Sequence, residues 1–337
     1  MLRAIAKDAV ARAMSMTGLA AGARVRLHRE LPFIAAYHRI VDRLDSCPDA
    51  LPAMEISVAT LEKHLDWMGK HFEIVSLDDL ATRLNRRART KPLAAITFDD
   101  GYSDVFHHGL PLLRRKGIPA GIFVVTDLVG TTELPIHERL YAILVKKWPV
   151  VSSVMTVPPH IRNPFEATQH LLRNVAHDDV LRFIERLSAD GGNLQQSALL
   201  RPLTWEMLEK MRDAGMTIGS HSKTHPFLTN ETRTRVLEEA ADSRAVLEER
   251  LRTNVSCFAY PGGDFNGTVV EAVHAAGYGV AFTICRHREP RYPMLTVPRT
   301  SLWERSTLDR FGRFSSALMS CHAAGMLGSF SNCPNSH

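Results

Sequence analysis

At 337 residues, 45% of them hydrophobic and 23% charged, the chain has a soluble globular composition and enough length to bury a core in one large or two ordinary domains. Its formal net charge of +5, from 41 basic against 36 acidic side chains, is too mild to argue for a nucleic-acid partner. Five cysteines without a Cys-x-x-Cys pair read as free thiols of a reducing compartment. Lys7, Asp8 and Arg12 interrupt the apolar N-terminus, which speaks against a signal peptide or a membrane span. The expected location is cytoplasmic, or peripheral at an inner membrane.

In chain order, residues 1–30 read as a basic amphipathic helix, expected to pack on the domain and, as the lesser alternative, to make peripheral membrane contact. Residues 33–37 form a short apolar strand that delivers His38 at its C-terminal end. Ser57 N-caps a helix with Leu61, Leu65 and Met68 on one face. Residues 72–75 are strand-like, Ser76 opens another helix, and residues 94–98 are a strand ending in Asp99-Asp100-Gly101-Tyr102. Asp104 reads as a charge at a helix N-terminus. The helix with Leu110, Leu112 and Leu113 stops at Gly117, and residues 120–125 are again a strand. From 131 to 200 the alternation lapses into helical pieces at 138–147, 166–175 and 179–187, separated by Pro-Pro and Gly-Gly. This stretch is expected to be a helical cap inserted within the domain and bordering its groove. Alternation resumes with helix 204–214, strand 216–219, helix 231–251, strand 256–260, helix 268–276 and strands 280–283 and 295–300. The domain is expected to span 31–310, with 311–337 as a tail.

Two adjacent carboxylates at a buried strand end are costly unless a cation or proton compensates. A surface turn would satisfy Asp99 and Asp100 too, but Ile218-Gly219-Ser220-His221-Ser222-Lys223-Thr224-His225 offers two imidazoles four positions apart. Two histidines, a carboxylate and an open position make a catalytic zinc-type site. Alternating strands and helices imply parallel strands, and a closed or nearly closed barrel fits their count. His38, Asp99, Asp100, His221 and Pro261-Gly262 all follow strand ends, where such barrels collect their chemistry.

These stretches resemble the polysaccharide deacetylase family, carbohydrate esterase family 4. Thr97–Phe98–Asp99–Asp100–Gly101–Tyr102 matches its first motif, His221-Ser222-Lys223-Thr224-His225 its His-Ser-x-x-His motif, and Phe258-Ala259-Tyr260-Pro261-Gly262-Gly263 its third. The resemblance implies a distorted, incomplete (β/α) barrel of about seven parallel strands. It also implies one divalent metal ion, zinc by ligand type, held by Asp100, His221 and His225, with Asp99 as general base and the backbone near Gly262 and Tyr260 facing substrate. The sequence departs from the family in three places. The third motif lacks its arginine and has Gly262 in place of a tyrosine, and Val297-Pro298-Arg299-Thr300-Ser301-Leu302 lacks the histidine of the usual Leu-x-His. Tyr37-His38-Arg39-Ile40 instead resembles the circularly permuted exopolysaccharide N-deacetylases, whose acid histidine comes from the first strand. On that pattern His38 is the general acid, and Arg299 stands in for the missing arginine beside Asp99. The expected reaction is removal of N-acetyl groups from N-acetylhexosamine units of a bacterial glycan. O-acetyl ester or small-molecule amide hydrolysis, and glycan binding on an inactive barrel, are the alternatives.

Overall fold

The structure, a computed structural model, describes residues 2–28, 31–44, 50–84, 91–154, 158, 161–188 and 200–327. Phe33–Tyr37 and Leu93–Phe98 are buried at every position, as expected of strands covered on both faces in a parallel sheet. They pair in parallel, Ala35 opposite Ile96 and Tyr37 opposite Phe98. The sheet continues through Gly121–Val124, Thr217–Ser220, Cys257–Ala259 and Val280–Thr283 to Val297–Pro298, each neighbouring pair parallel. At its other end Phe33–Tyr37 pairs with Thr300–Ser301. Val297–Pro298 and Thr300–Ser301 are thus two pieces of one extended segment that bonds to both ends of the sheet and closes the barrel. The path counts eight strands where the sequence suggests about seven, because the closing segment is divided at Arg299.

Alternate strand residues divide between two apolar layers. Ile34, Ala95, Phe123, Ala259 and Phe282 meet one another inside the barrel, joined by Leu77 and Leu80 of the helix Leu77–Leu84. Phe33, Ile96, Ile122, Ile218 and Phe258 face outward against Leu61, Leu65, Leu112 and Val236 of the surrounding helices. The caps follow local chemistry. The Ser57 side chain accepts from Thr60 N–H at the start of Val58–His71, and Gly117 ends Leu110–Lys116 in the left-handed region, φ 64°.

Between Gly121–Val124 and Thr217–Ser220, helices Ile136–Val154, Pro164–Asn174 and His177–Ser188 precede Trp205–Asp213. They build a small core of their own from Leu140, Leu144, Ile161, Leu172 and Ile184, which Phe227 of the barrel side enters. Arg173 pairs with Asp264, and Asn230 Nδ2 donates to the Leu172 and Val175 carbonyls at 2.9 and 3.1 Å, tying this layer to the barrel. The Gly191-Gly192 break lies outside the described residues.

The single N-terminal helix expected over 1–30 is two helices, Leu2–Met16 and Leu19–Leu27, because Gly18 at φ 74° turns the chain between them. The C-terminal segment carries a helix, Ser316–Ala323, and residues 328–337 lie outside the described residues. The two N-terminal helices meet the helix Ser316–Ala323. Ala11 and Ala20 pack on Leu318 and Cys321, and a ring nitrogen of His28 lies 2.7 Å from the Ala323 carbonyl oxygen. Among the described residues no helix is long and apolar enough to cross a membrane.

Candidate active site

The first motif forms where a strand must end and turn. Asp99 N–H still donates to the Tyr37 carbonyl at 2.9 Å, whereas Asp100 and Gly101 adopt φ 68° and 71°. Ser222 and His225, in the second motif, also have positive φ, 67° and 66°. A left-handed backbone costs a non-glycine residue about 1–3 kcal/mol and persists only where its surroundings impose it. Asp100 and His225 thereby face each other, while Ser222 Oγ accepts from His225 N–H at 3.0 Å.

Asp99 is clamped by Arg299, whose two terminal guanidinium nitrogens lie 2.7 Å from its two carboxylate oxygens. One of them also donates to Thr97 Oγ1 at 3.1 Å, and the guanidinium carbon lies 5.3 Å from the Phe123 ring centre. Burial would raise the Asp99 pKa, but the Arg299 charge and then His221 outweigh it and hold the carboxyl below its usual range. Asp99 is therefore held in its ionised form.

Asp100 has a different environment. Its Oδ1 lies 3.4 Å from His221 Nε2 and 3.3 Å from His225 Nε2, and its Oδ2 lies 3.5 Å from His137 Nε2. These separations are long for hydrogen bonds, which centre near about 2.9 Å. Taken singly, each is near the spacing of two ligand atoms about 2.0–2.1 Å from one tetrahedral cation, about 3.3–3.4 Å. Both Asp100 oxygens are buried with no hydrogen-bond partner, and one ligand atom each from Asp100, His137 and His225 fall within 4.8 Å of one another, a compact set that has His137 where the sequence reading has His221. A divalent cation fits this donor set. Burial works against the Asp100 charge, yet the His137, His221 and His225 imidazoles hold its pKa well below the usual value.

The second motif is shaped from behind. His221 Nδ1 lies 2.7 Å from the Ala259 carbonyl and donates to it, which leaves Nε2 facing Asp100; burial works against the ring's charge, but the hydrogen bond to Asp100 and the Asp99 charge outweigh it and raise the His221 pKa. Lys223 and Thr224 N–H donate to Glu239 Oε2 at 2.9 and 2.8 Å, and Thr224 Oγ1 donates to Oε1 at 2.7 Å. Glu239 is fully buried on the helix Arg233–Leu251. In the sequence it is one acidic residue in a charged helix, with no local signal of this cradle.

His137 is the second residue that sequence reasoning missed. It sits in the first turn of the inserted helix Ile136–Val154, two positions earlier than the helix legible in the sequence, and is buried beside Asp100. Burial lowers its pKa to about 3, so the ring is neutral. Tyr102 Oη lies 3.0 Å from His137 Nε2 and 3.2 Å from Glu138 Oε1, whose other oxygen accepts from Leu51 N–H at 2.8 Å. Asp104, which reads as a charge at a helix N-terminus, is buried and faces Arg39 at 3.4 Å, with burial raising its pKa to about 7.

His38, half-buried, lines the same pocket as Asp99, Asp100, His221, His225 and Arg299. Burial lowers its pKa against the pull of Asp100 and Asp99. Gly262 is in the left-handed region at φ 65°, and a Cβ there would lie 2.3 Å from Phe227 Cε1. That contact explains a glycine at this position. Tyr260 also lines the pocket; its hydroxyl donates to the Leu295 carbonyl at 2.9 Å and its ring stacks on Phe265. Phe165, Gln169 and Arg173 of the inserted helices also line the pocket, as do Ser301 and Trp303.

The model of the family described as "Polysaccharide deacetylase" matches residues 86–281. YxkH of Bacillus subtilis (strain 168) is 18% identical over 233 residues, covering 68% of this chain; the chain thus spans 59% of that protein's length. Among solved structures, IcaB from Ammonifex degensii superposes with a TM-score of 0.55 at 17% identity, over 88% of this chain and 97% of that one. The Streptococcus pyogenes deacetylase PplD, in complex with acetate, gives 0.54 at 17% identity over 81% and 92%. A de-N-acetylase from Aggregatibacter actinomycetemcomitans gives 0.52 at 17% identity over 82% and 95%. At these identities the structural likeness is one of fold. The family match covers more than half of the chain, which belongs to the polysaccharide deacetylase family and shares the barrel fold of IcaB.

Proposed function

We propose that this protein removes N-acetyl groups from N-acetylhexosamine units of a bacterial glycan by metal-assisted hydrolysis. The observation that carries the reading is the pairing of two adjacent carboxylates with opposite tasks: Asp99 clamped by Arg299, Asp100 ringed by imidazoles. His38 opens onto the same pocket. Asp100, His221 and His225 hold the cation, and zinc suits a carboxylate and two imidazoles with a position left open. When bound, it supplies Lewis-acid polarisation and a more acidic water. Asp99 accepts the proton of the attacking water, oriented by Arg299. The Gly262 N–H faces the acetyl carbonyl oxygen. His38 delivers a proton to the leaving nitrogen, which an amide needs because it departs badly as an anion.

The test is acetate release from N-acetylchitooligosaccharides and from acetylated xylan by the zinc-loaded protein. Release from the first substrate is expected. Release from acetylated xylan alone would replace the reading by O-acetyl esterase activity. Sugar binding with no acetate released from either would make the barrel a binding protein.

A further inference from the structure

The imidazole of His137 has no part in the reaction just described, yet it occupies the same buried space. Of the three imidazoles around Asp100, His221 and His225 face Oδ1 and His137 alone faces Oδ2, at 3.5 Å, close to the separations of the other two. Its ligand atom belongs to the compact set with Asp100 and His225, and its ring centre lies 5.0 Å from that of His225. The buried Asp100 oxygens, without hydrogen-bond partners, mark a place built for a cation rather than for a hydrogen-bonded carboxylate.

We propose that His137 is a third imidazole ligand of the metal, so that the inserted helical layer supplies part of the metal centre itself. This rests on the metal reading above and extends its ligand set. The position is held firmly. Ile136, His137 and Glu138 are all buried in the first turn of their helix, and Glu138 is anchored by Leu51 N–H. The competing interaction has an outlet. Tyr102 O–H, 3.0 Å from His137 Nε2, has a second acceptor in Glu138 Oε1 at 3.2 Å, so turning its proton there frees the nitrogen lone pair. Four protein ligands from three parts of the chain would bind the ion more tightly than three. A position for water or substrate then requires coordination beyond four, which zinc accepts.

The experiment is zinc K-edge X-ray absorption on the full chain, stripped with a chelator and reloaded with zinc alone, together with zinc affinity by competition against a chromophoric chelator. The wild-type protein should show three imidazoles. His137→Gln should show two, with the dissociation constant raised by at least about tenfold. A wild-type spectrum with two imidazoles, one of them lost in His221→Gln and one in His225→Gln, overturns this inference and leaves the metal reading standing. Failure of the wild-type protein to bind zinc overturns both. The counts in the wild-type, His221→Gln and His225→Gln proteins decide even if His137→Gln does not fold, because a count of two excludes His137 only when each of those two variants loses one imidazole.

Discussion

The barrel and the inserted helical layer share one pocket but are built differently. The barrel brings Asp99, Asp100, His38, His221 and Arg299 to strand ends and fixes them through backbone bonds and strained turns. The inserted layer reaches the pocket with side chains of amphipathic helices that carry their own apolar core, and docks through Arg173, Asn230 and Phe227. A closed parallel barrel tolerates little change at its strand ends, whereas a docked layer can vary as long as its inner face remains apolar. On the proposed function the barrel carries the acid and base residues, while the layer borders the entrance and reaches the metal centre only through His137.

Substitutions on the two sides should separate these tasks. The largest effect is expected from His221→Ala/His225→Ala, which should lose the metal and reduce acetate release to background. Full metal occupancy in that variant, measured by elemental analysis, would break the assignment. His38→Ala should keep its metal and lose about 10²–10⁴-fold in kcat on the amide, with much of the loss recovered on an activated ester. The wild-type kcat/KM should fall on its alkaline side below the ordinary histidine pKa, since burial lowers that of His38 and the acid form is lost as pH rises. This limb should vanish in His38→Ala.

On the inserted layer, Glu138→Gln should change the pH dependence of stability. Burial raises the Glu138 pKa to about 7, above its unfolded value, so the folded state holds a proton that the unfolded state releases. Stability from this group is therefore full at acid pH and lost as pH rises through about 7. Relative to wild type, the variant should gain up to about 1 kcal/mol per pH unit across this window in denaturant titrations. Parallel curves for the two proteins would show that Glu138 does not titrate there. The smallest effect is expected from Phe165→Ala at the rim, which should raise KM about tenfold or less while leaving kcat near wild type. A fall in kcat as large as that of His38→Ala would place the layer in the chemistry and erase the distinction.

Much of this molecule is decided by short-range chemistry. Apolar runs such as Phe33–Tyr37 and Leu93–Phe98 have to be buried strands, and Ser57 and Gly117 mark helix ends because their side chain or backbone suits those positions. The Asp-Asp and His-x-x-x-His pairs are visible because a cation site needs those groups near strand ends. Tertiary structure alone decided the rest. Arg299 clamps an aspartate 200 positions away only because the last segment closes the barrel next to the first strand. Glu239 became the support of the histidine loop through helix packing, and the Tyr260 hydroxyl turned to Leu295. His137 lies at a helix boundary with no periodicity around it, and its nearness to Asp100 depends on how one layer docks on another. Sequence patterns record the repeat of a single element; contacts between elements depend on closure and docking, which no local repeat encodes.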